Sequence, residues 1–103
     1  MSSGENSVGV RESNVERYLQ ERIKEIGGTT RKWVSPGANG VPDRIVLLSR
    51  EVWFVEVKTV DGQLSPVQRR EHGRLKAHGA NVITLYGCGD VDRFAEKLRA
   101  KHA

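Results

Sequence analysis

Residues 40–58 read Gly-Val-Pro-Asp-Arg-Ile-Val-Leu-Leu-Ser-Arg-Glu-Val-Trp-Phe-Val-Glu-Val-Lys. Two near-continuous apolar runs, 44–48 and 52–58, are joined by the polar Ser49-Arg50-Glu51, which predicts a β-hairpin buried on both faces near its middle. Pro42 can open such a strand but not sit inside a paired ladder. Side chains alternate across a strand, so Phe54, Glu56 and Lys58 share one face while Trp53, Val55 and Val57 share the other. Asp43 opens the first run and Glu56 closes the second, with Lys58 two residues on. Charges at the end of so apolar a strand are costly unless paired or bound to a metal. Two carboxylates and a lysine suit a hard divalent cation and a water held beside a phosphate.

Outward from the hairpin the pattern stays regular. Val15, Leu19, Ile23 and Ile26 fall at helical spacing, and Gly27-Gly28 stops that helix. Residues 29–35 are β-branched and aromatic and read as a strand, and 36–40 as a loop. Ser65-Pro66 opens a second helix reaching to about His78, with a poor apolar stripe of Val67, Leu75 and Ala77. Asn81 to Tyr86 is a further strand. Asp90 caps a last helix with Val91, Phe94, Ala95 and Leu98 on one face. The order αβββαβα predicts an α/β fold, a mixed sheet flanked by helices.

The 103 residues make one domain, expected over 12–103 behind a disordered Ser/Gly/Asn-rich leader at 1–11. Net charge is +4, a bias that suits a polyanionic partner without specifying one. No stretch nears the ~20 apolar residues that span a bilayer. A single cysteine, Cys88, fits a reducing compartment, so a cytoplasmic setting is expected, in a bacterial cell or a phage-infected host. His72, His78 and His102 lack zinc spacing.

Val-Pro-Asp followed by Glu-Val-Lys resembles the PD-(D/E)xK nuclease signature. From about Glu12 to Leu98 the chain is similar to the VRR-NUC branch, the virus-type replication-repair nucleases. The likeness rests on five pieces in order: residues 12–19, 32–37, 40–44, 56–58 and 64–72. It implies a restriction-endonuclease-like core and a Mg²⁺-dependent deoxyribonuclease, with Mn²⁺ able to substitute. Asp43, Glu56 and the main-chain carbonyl of Val57 would be metal ligands, and Lys58 would orient the attacking water. Gln68 is the residue the family sets near the active centre. A third carboxylate would come from the first helix, Glu16 in preference to Glu12. The resemblance further implies a homodimer acting on branched DNA such as four-way junctions, in repair, recombination or replication, or in phage DNA processing.

Each assignment has a plainer rival. Asp43 also reads as a turn residue after proline, and Glu56 as an ion-pair partner of Lys58. Ser13-Asn14-Val15-Glu16 has the spacing of a capping box, as does Ser65-Pro66-Val67-Gln68, and one amide is expected to fill only one of two sites at a time. Arg31, Lys32, Arg69, Arg70 and Arg74 are candidate DNA contacts, and equally a solvated basic surface. Trp33 is a stacking platform or core. At the level of function the rivals are a flap, general or sequence-specific endonuclease, and a catalytically silent DNA-binding module. The intact Asp, Glu, Lys and Gln argue against the silent one.

Overall fold

The computed structural model describes residues 11–101, so most of the expected leader, 1–10, and His102 lie outside the described residues. The elements run α1 (Glu12–Glu25), β1 (Thr29–Lys32), β2 (Arg44–Leu48), β3 (Glu51–Lys58), α2 (Pro66–Ala77), β4 (Asn81–Tyr86) and α3 (Gly87–Lys101). The strands form one mixed sheet in the order β1-β2-β3-β4. β1–β2 and β2–β3 are antiparallel; β3–β4 is parallel, as a crossover through α2 requires. The expected α/β fold and element order are both present.

The register sorts the side chains. Val46 lies opposite Trp53, and Val57 is level with Leu85, so these share the face on which α1 and α3 pack. Val15, Leu19 and Ile23 of α1 meet Val91, Phe94 and Leu98 of α3 over Val46, Val55 and Val57. Each full burial of such a side chain contributes about 1.5–3 kcal/mol. Trp53 stands edge-on to Phe94, with ring centroids 5.5 Å apart. Asp92 of α3 accepts from the Tyr18 hydroxyl (2.6 Å) and Arg22 Nε (3.0 Å), which fixes the axial setting of α1. α2 packs on the opposite face, over β4. No helix among the described residues is long and apolar enough to cross a membrane.

Three local expectations change. β1 ends at Lys32 rather than Ser35, although the Trp33 amide still donates to the Asp43 carbonyl at 3.0 Å. The β2–β3 connection is two residues, not three: Ser49 and Arg50 both adopt positive φ (40° and 74°), the twist a two-residue hairpin needs, and Glu51 joins β3. α3 opens at Gly87, not at Asp90. The Asp90 carboxylate caps from within, accepting the Tyr86 amide at 2.9 Å.

Candidate active site

The expected residues converge at the C-terminal end of β3. Asp43 sits just before β2, behind buried Pro42, and its Oδ2 accepts the Val57 amide at 3.0 Å. A strand residue sends its N–H and C=O to the same edge, because antiparallel partners exchange both bonds. The Val57 carbonyl therefore projects on the Asp43 side. The β2–β3 ladder stops at Arg44–Val55, so β2 offers that carbonyl no partner.

Glu56 is 1% exposed, an extreme for a carboxylate. Gln68 Nε2 donates to its Oε2 at 3.1 Å, and Lys58 Nζ lies 3.7 Å from the same oxygen. Its Oε1 has no hydrogen-bond partner among the described residues. Burial, and then the charge of Asp43, raise its pKa to about 8, against the pull of Lys58. Two neighbouring carboxylates, one of them buried, cannot both ionise cheaply. The pair carries a proton at neutral pH unless a cation neutralises it.

Gln68 fills two roles that the sequence reading treats as exclusive. Its Oε1 accepts the Ser65 amide at 2.9 Å, and Ser65 Oγ accepts the Gln68 amide at 3.1 Å, completing a capping box. Its Nε2 remains for Glu56. A side-chain amide has two ends, and each is used once. The loop before Asp43 holds this helix start in place: Gly40 has φ +83°, and a Cβ there would stand 2.8 Å from the Val67 carbonyl.

The two glutamates of α1 separate. α1 begins at Glu12 behind Arg11, whose side chain makes no cap, so the Ser13–Glu16 capping box does not form. Glu16 Oε2 instead accepts from Arg44 Nε at 2.6 Å and lies 3.3 Å from Lys32 Nζ. Glu12 Oε2 lies 3.9 Å from Lys58 Nζ, and its charge is among those felt by Glu56.

His72 is the residue that sequence reasoning missed. It is 3% exposed, the one fully buried side chain of α2, and its Nε2 lies 3.8 Å from Glu56 Oε1. Burial pushes its pKa down, opposed first by the Gly40 backbone. Its place four residues after Gln68, hence on the same helical face, is the signal that would have found it.

The candidate DNA contacts do not converge in the same way. Arg31 is exposed on β1 and bonded to Thr29 and Thr30, and Lys32 faces Glu16. Arg69, Arg70 and Arg74 are exposed on α2, with Arg74 paired to Glu71. Trp33 rests on Phe54 with ring centroids 5.1 Å apart.

No protein-family model matches the chain. A solved structure described as "VRR_NUC domain" superposes with a TM-score of 0.77 at 40% identity, covering 82% of this chain and 94% of that one. The chain belongs to the VRR-NUC family of nuclease domains. A relative in Acyrthosiphon pisum secondary endosymbiont phage 1, named "Putative nuclease p44", is 46% identical over 77 residues, 74% of this chain and 83% of that protein. Two further structures share the VRR-NUC fold at low identity. One is a "VRR_NUC domain protein" with a TM-score of 0.71 at 17% identity, covering 87% of this chain and 88% of that one. The other is Hjc of Archaeoglobus fulgidus, a Holliday junction resolvase from an archaeal hyperthermophile. Its TM-score is 0.56 at 18% identity, over 73% of this chain and 67% of that one.

Within this VRR-NUC domain the Glu16–Arg44 pair is largely buried, at 15% and 16% side-chain exposure. Glu16→Gln is expected to lower stability by about 1–3 kcal/mol, because it leaves the Arg44 charge without its carboxylate. Glu12, about half exposed beside Lys58, should tolerate Glu12→Gln with little loss of stability. Denaturant unfolding of the two variants measures the difference.

Proposed function

We propose that the chain is a divalent-metal-dependent deoxyribonuclease acting on branched DNA. Asp43, Glu56 and the Val57 carbonyl would hold Mg²⁺, with Mn²⁺ as a substitute. The observation that carries this reading is the carboxylate pair of half-buried Asp43 and buried Glu56, with the Oε1 of Glu56 accepting no hydrogen bond from an N–H among the described residues. That donor set suits a hard cation, which satisfies the orphan oxygen and removes the repulsion between the acids. When bound, the metal supplies charge stabilisation at the scissile phosphate and lowers the pKa of a water.

The protein groups do the rest. The Val57 amide fixes Asp43, and Gln68 fixes Glu56. Lys58 is mostly buried, at 12% side-chain exposure, and is directed by Glu56 and Glu12. It orients the attacking water and steadies negative charge developing on the phosphate. We assign the α1 carboxylate nearest this centre to Glu12 rather than Glu16, because Glu16 is committed to Arg44. Arg69, Arg70 and Arg74 on α2, with Arg31 and Lys32 on β1, supply phosphate contacts. Binding should therefore weaken with salt by a log–log slope of about −0.9 per contact on duplex DNA.

Branched DNA and a homodimer go together in this reading, since one active site per chain needs two copies for paired nicks. The fold shared with Hjc, itself a Holliday junction resolvase, supports the substrate. Trp33, Ile45, Leu47, Val52 and Phe54 offer a surface for the second copy. They are exposed or half-buried on the β1–β3 part of the face opposite α1 and α3, where none of the described helices packs closely. The cytoplasm of a bacterium or a phage-infected host is the matching compartment.

The test is incubation with labelled four-way-junction, flapped and linear DNA in Mg²⁺, Mn²⁺ or EDTA. Paired nicks in the junction by a dimer, abolished by EDTA, are expected. Equal cleavage of linear duplex would favour a general nuclease, and binding without cleavage the silent module.

A further inference from the structure

We propose that His72 is a positioning residue that orients Glu56 for the cation. The inference rests on the metal reading above and adds a second fixed point to its most buried ligand.

α2 is otherwise a basic, exposed helix, and the one side chain it fully buries is an imidazole rather than an aliphatic group. Burying an imidazole without a hydrogen bond costs free energy that a hydrocarbon would not. The ring nitrogens of His72 and the Oε1 of Glu56 are buried and make no well-formed hydrogen bond among the described residues, although the Gly40 backbone lies close enough to the ring to act on its charge. Buried polar atoms are rarely left so, and here Nε2 of His72 and Oε1 of Glu56 face each other. The Nε2–Oε1 separation is 3.8 Å. A bridging water would hold two such atoms about 4.5 Å apart, so this gap is too short for one. It closes directly into a hydrogen bond by a movement of less than about 1 Å.

Gln68 and His72 are one helical turn apart and both face Glu56. Gln68 takes Oε2 at 3.1 Å, and His72 stands over Oε1. α2 thus presents a two-pronged clamp, one donor for each oxygen of the same carboxylate. Two donors fix the carboxylate plane, where one leaves it free to swing about the Gln68 bond. The Gly40 loop, pressed on the first turn of α2 at Val67 and Gln68, keeps both prongs in register. His72 acts through Glu56 and not on the substrate.

Calorimetry with Mn²⁺ on the intact chain tests this, with thermal melts as the check on folding. His72→Met fills the same space without a donor. It should fold and bind Mn²⁺ about 10–100-fold more weakly, the usual effect of losing a group that orients a metal ligand. His72→Gln restores an N–H donor and should recover affinity to within roughly threefold of the wild type. Wild-type affinity in His72→Met, or no recovery in His72→Gln, would overturn the proposal. Should His72→Met fail to fold, His72→Gln is compared with His72→Asn, whose shorter side chain cannot reach Glu56. Weaker binding by Asn supports the clamp, and equal affinity overturns it. A wild-type protein that binds no Mn²⁺ would defeat the metal reading, and the clamp with it. Tight wild-type binding that is indifferent to residue 72 defeats the clamp alone.

Discussion

Glu56→Gln abolishes DNA cleavage yet makes the metal-free protein more stable at pH 8: that is the expected result with the largest effect. Folded Glu56 holds its proton up to about pH 8, against an ordinary value of 4.5. Between these values the folded state binds a proton that the unfolded chain has released. The stability this one group contributes is therefore fully present below about pH 4.5 and is lost as pH rises through about 8. The loss is on the order of a few kcal/mol. Glutamine has no charge to bury at any pH, and its carbonyl still accepts from Gln68. Melts in EDTA should show the Glu56→Gln advantage growing from pH 5 to pH 8. Asp43→Asn should act in the same direction, by removing the charge that faces Glu56. Cleavage in Mg²⁺ should fall by at least 10²–10³-fold in either variant, the order seen when a main electrostatic contributor is removed. A Glu56→Gln protein that melts below the wild type at pH 8, or that still cleaves, contradicts this.

Lys58→Ala should separate chemistry from metal binding. Its ammonium lies between Glu56, 3.7 Å away, and Glu12, 3.9 Å away. Removing it should lower cleavage by about 10²–10⁴-fold, the usual worth of a group that handles a proton in the transition state. Mn²⁺ binding should persist or tighten, because a cation that competes for the same carboxylates is gone. Lys58→Arg should not rescue. The lysine stem is packed under the turn at Gly62, where a Cβ on that glycine would meet Lys58 Cβ at 3.1 Å, and a longer planar guanidinium cannot take that path. Turnover at the wild-type level in Lys58→Ala would remove this residue from the mechanism.

What was legible in the sequence was what short-range chemistry decides. The apolar hairpin, the glycine stop at Gly27 and the Ser-Pro start of α2 depend on a few adjacent residues, and all three form, the hairpin with a connection one residue shorter than read. Asp43, Glu56 and Lys58 were legible because strand alternation and sequence proximity bring them together without knowledge of the rest of the fold. The glutamates of α1 were not. Ser13–Glu16 had the right spacing for a capping box, but Arg44, 28 residues away, takes the Glu16 carboxylate, and no local pattern encodes that partner. The double use of Gln68 was hidden for the same reason: one of its bonds is local, to Ser65, and the other crosses to β3. His72 showed only an absence of zinc spacing, because its burial exists only once α2 lies across the sheet.

The central claim is that the Asp43–Glu56 pair is a divalent-cation site that holds a proton when no cation is bound. Calorimetry at pH 7 tests it most directly, titrating Mn²⁺ into the wild type and into Asp43→Asn in two buffers of different ionisation enthalpy. The account predicts one cation per site in the wild type, with net proton release because Glu56 gives up its proton on binding, and loss of that binding in Asp43→Asn. No cation bound by the wild type, binding without proton release, or unchanged binding in Asp43→Asn would contradict it.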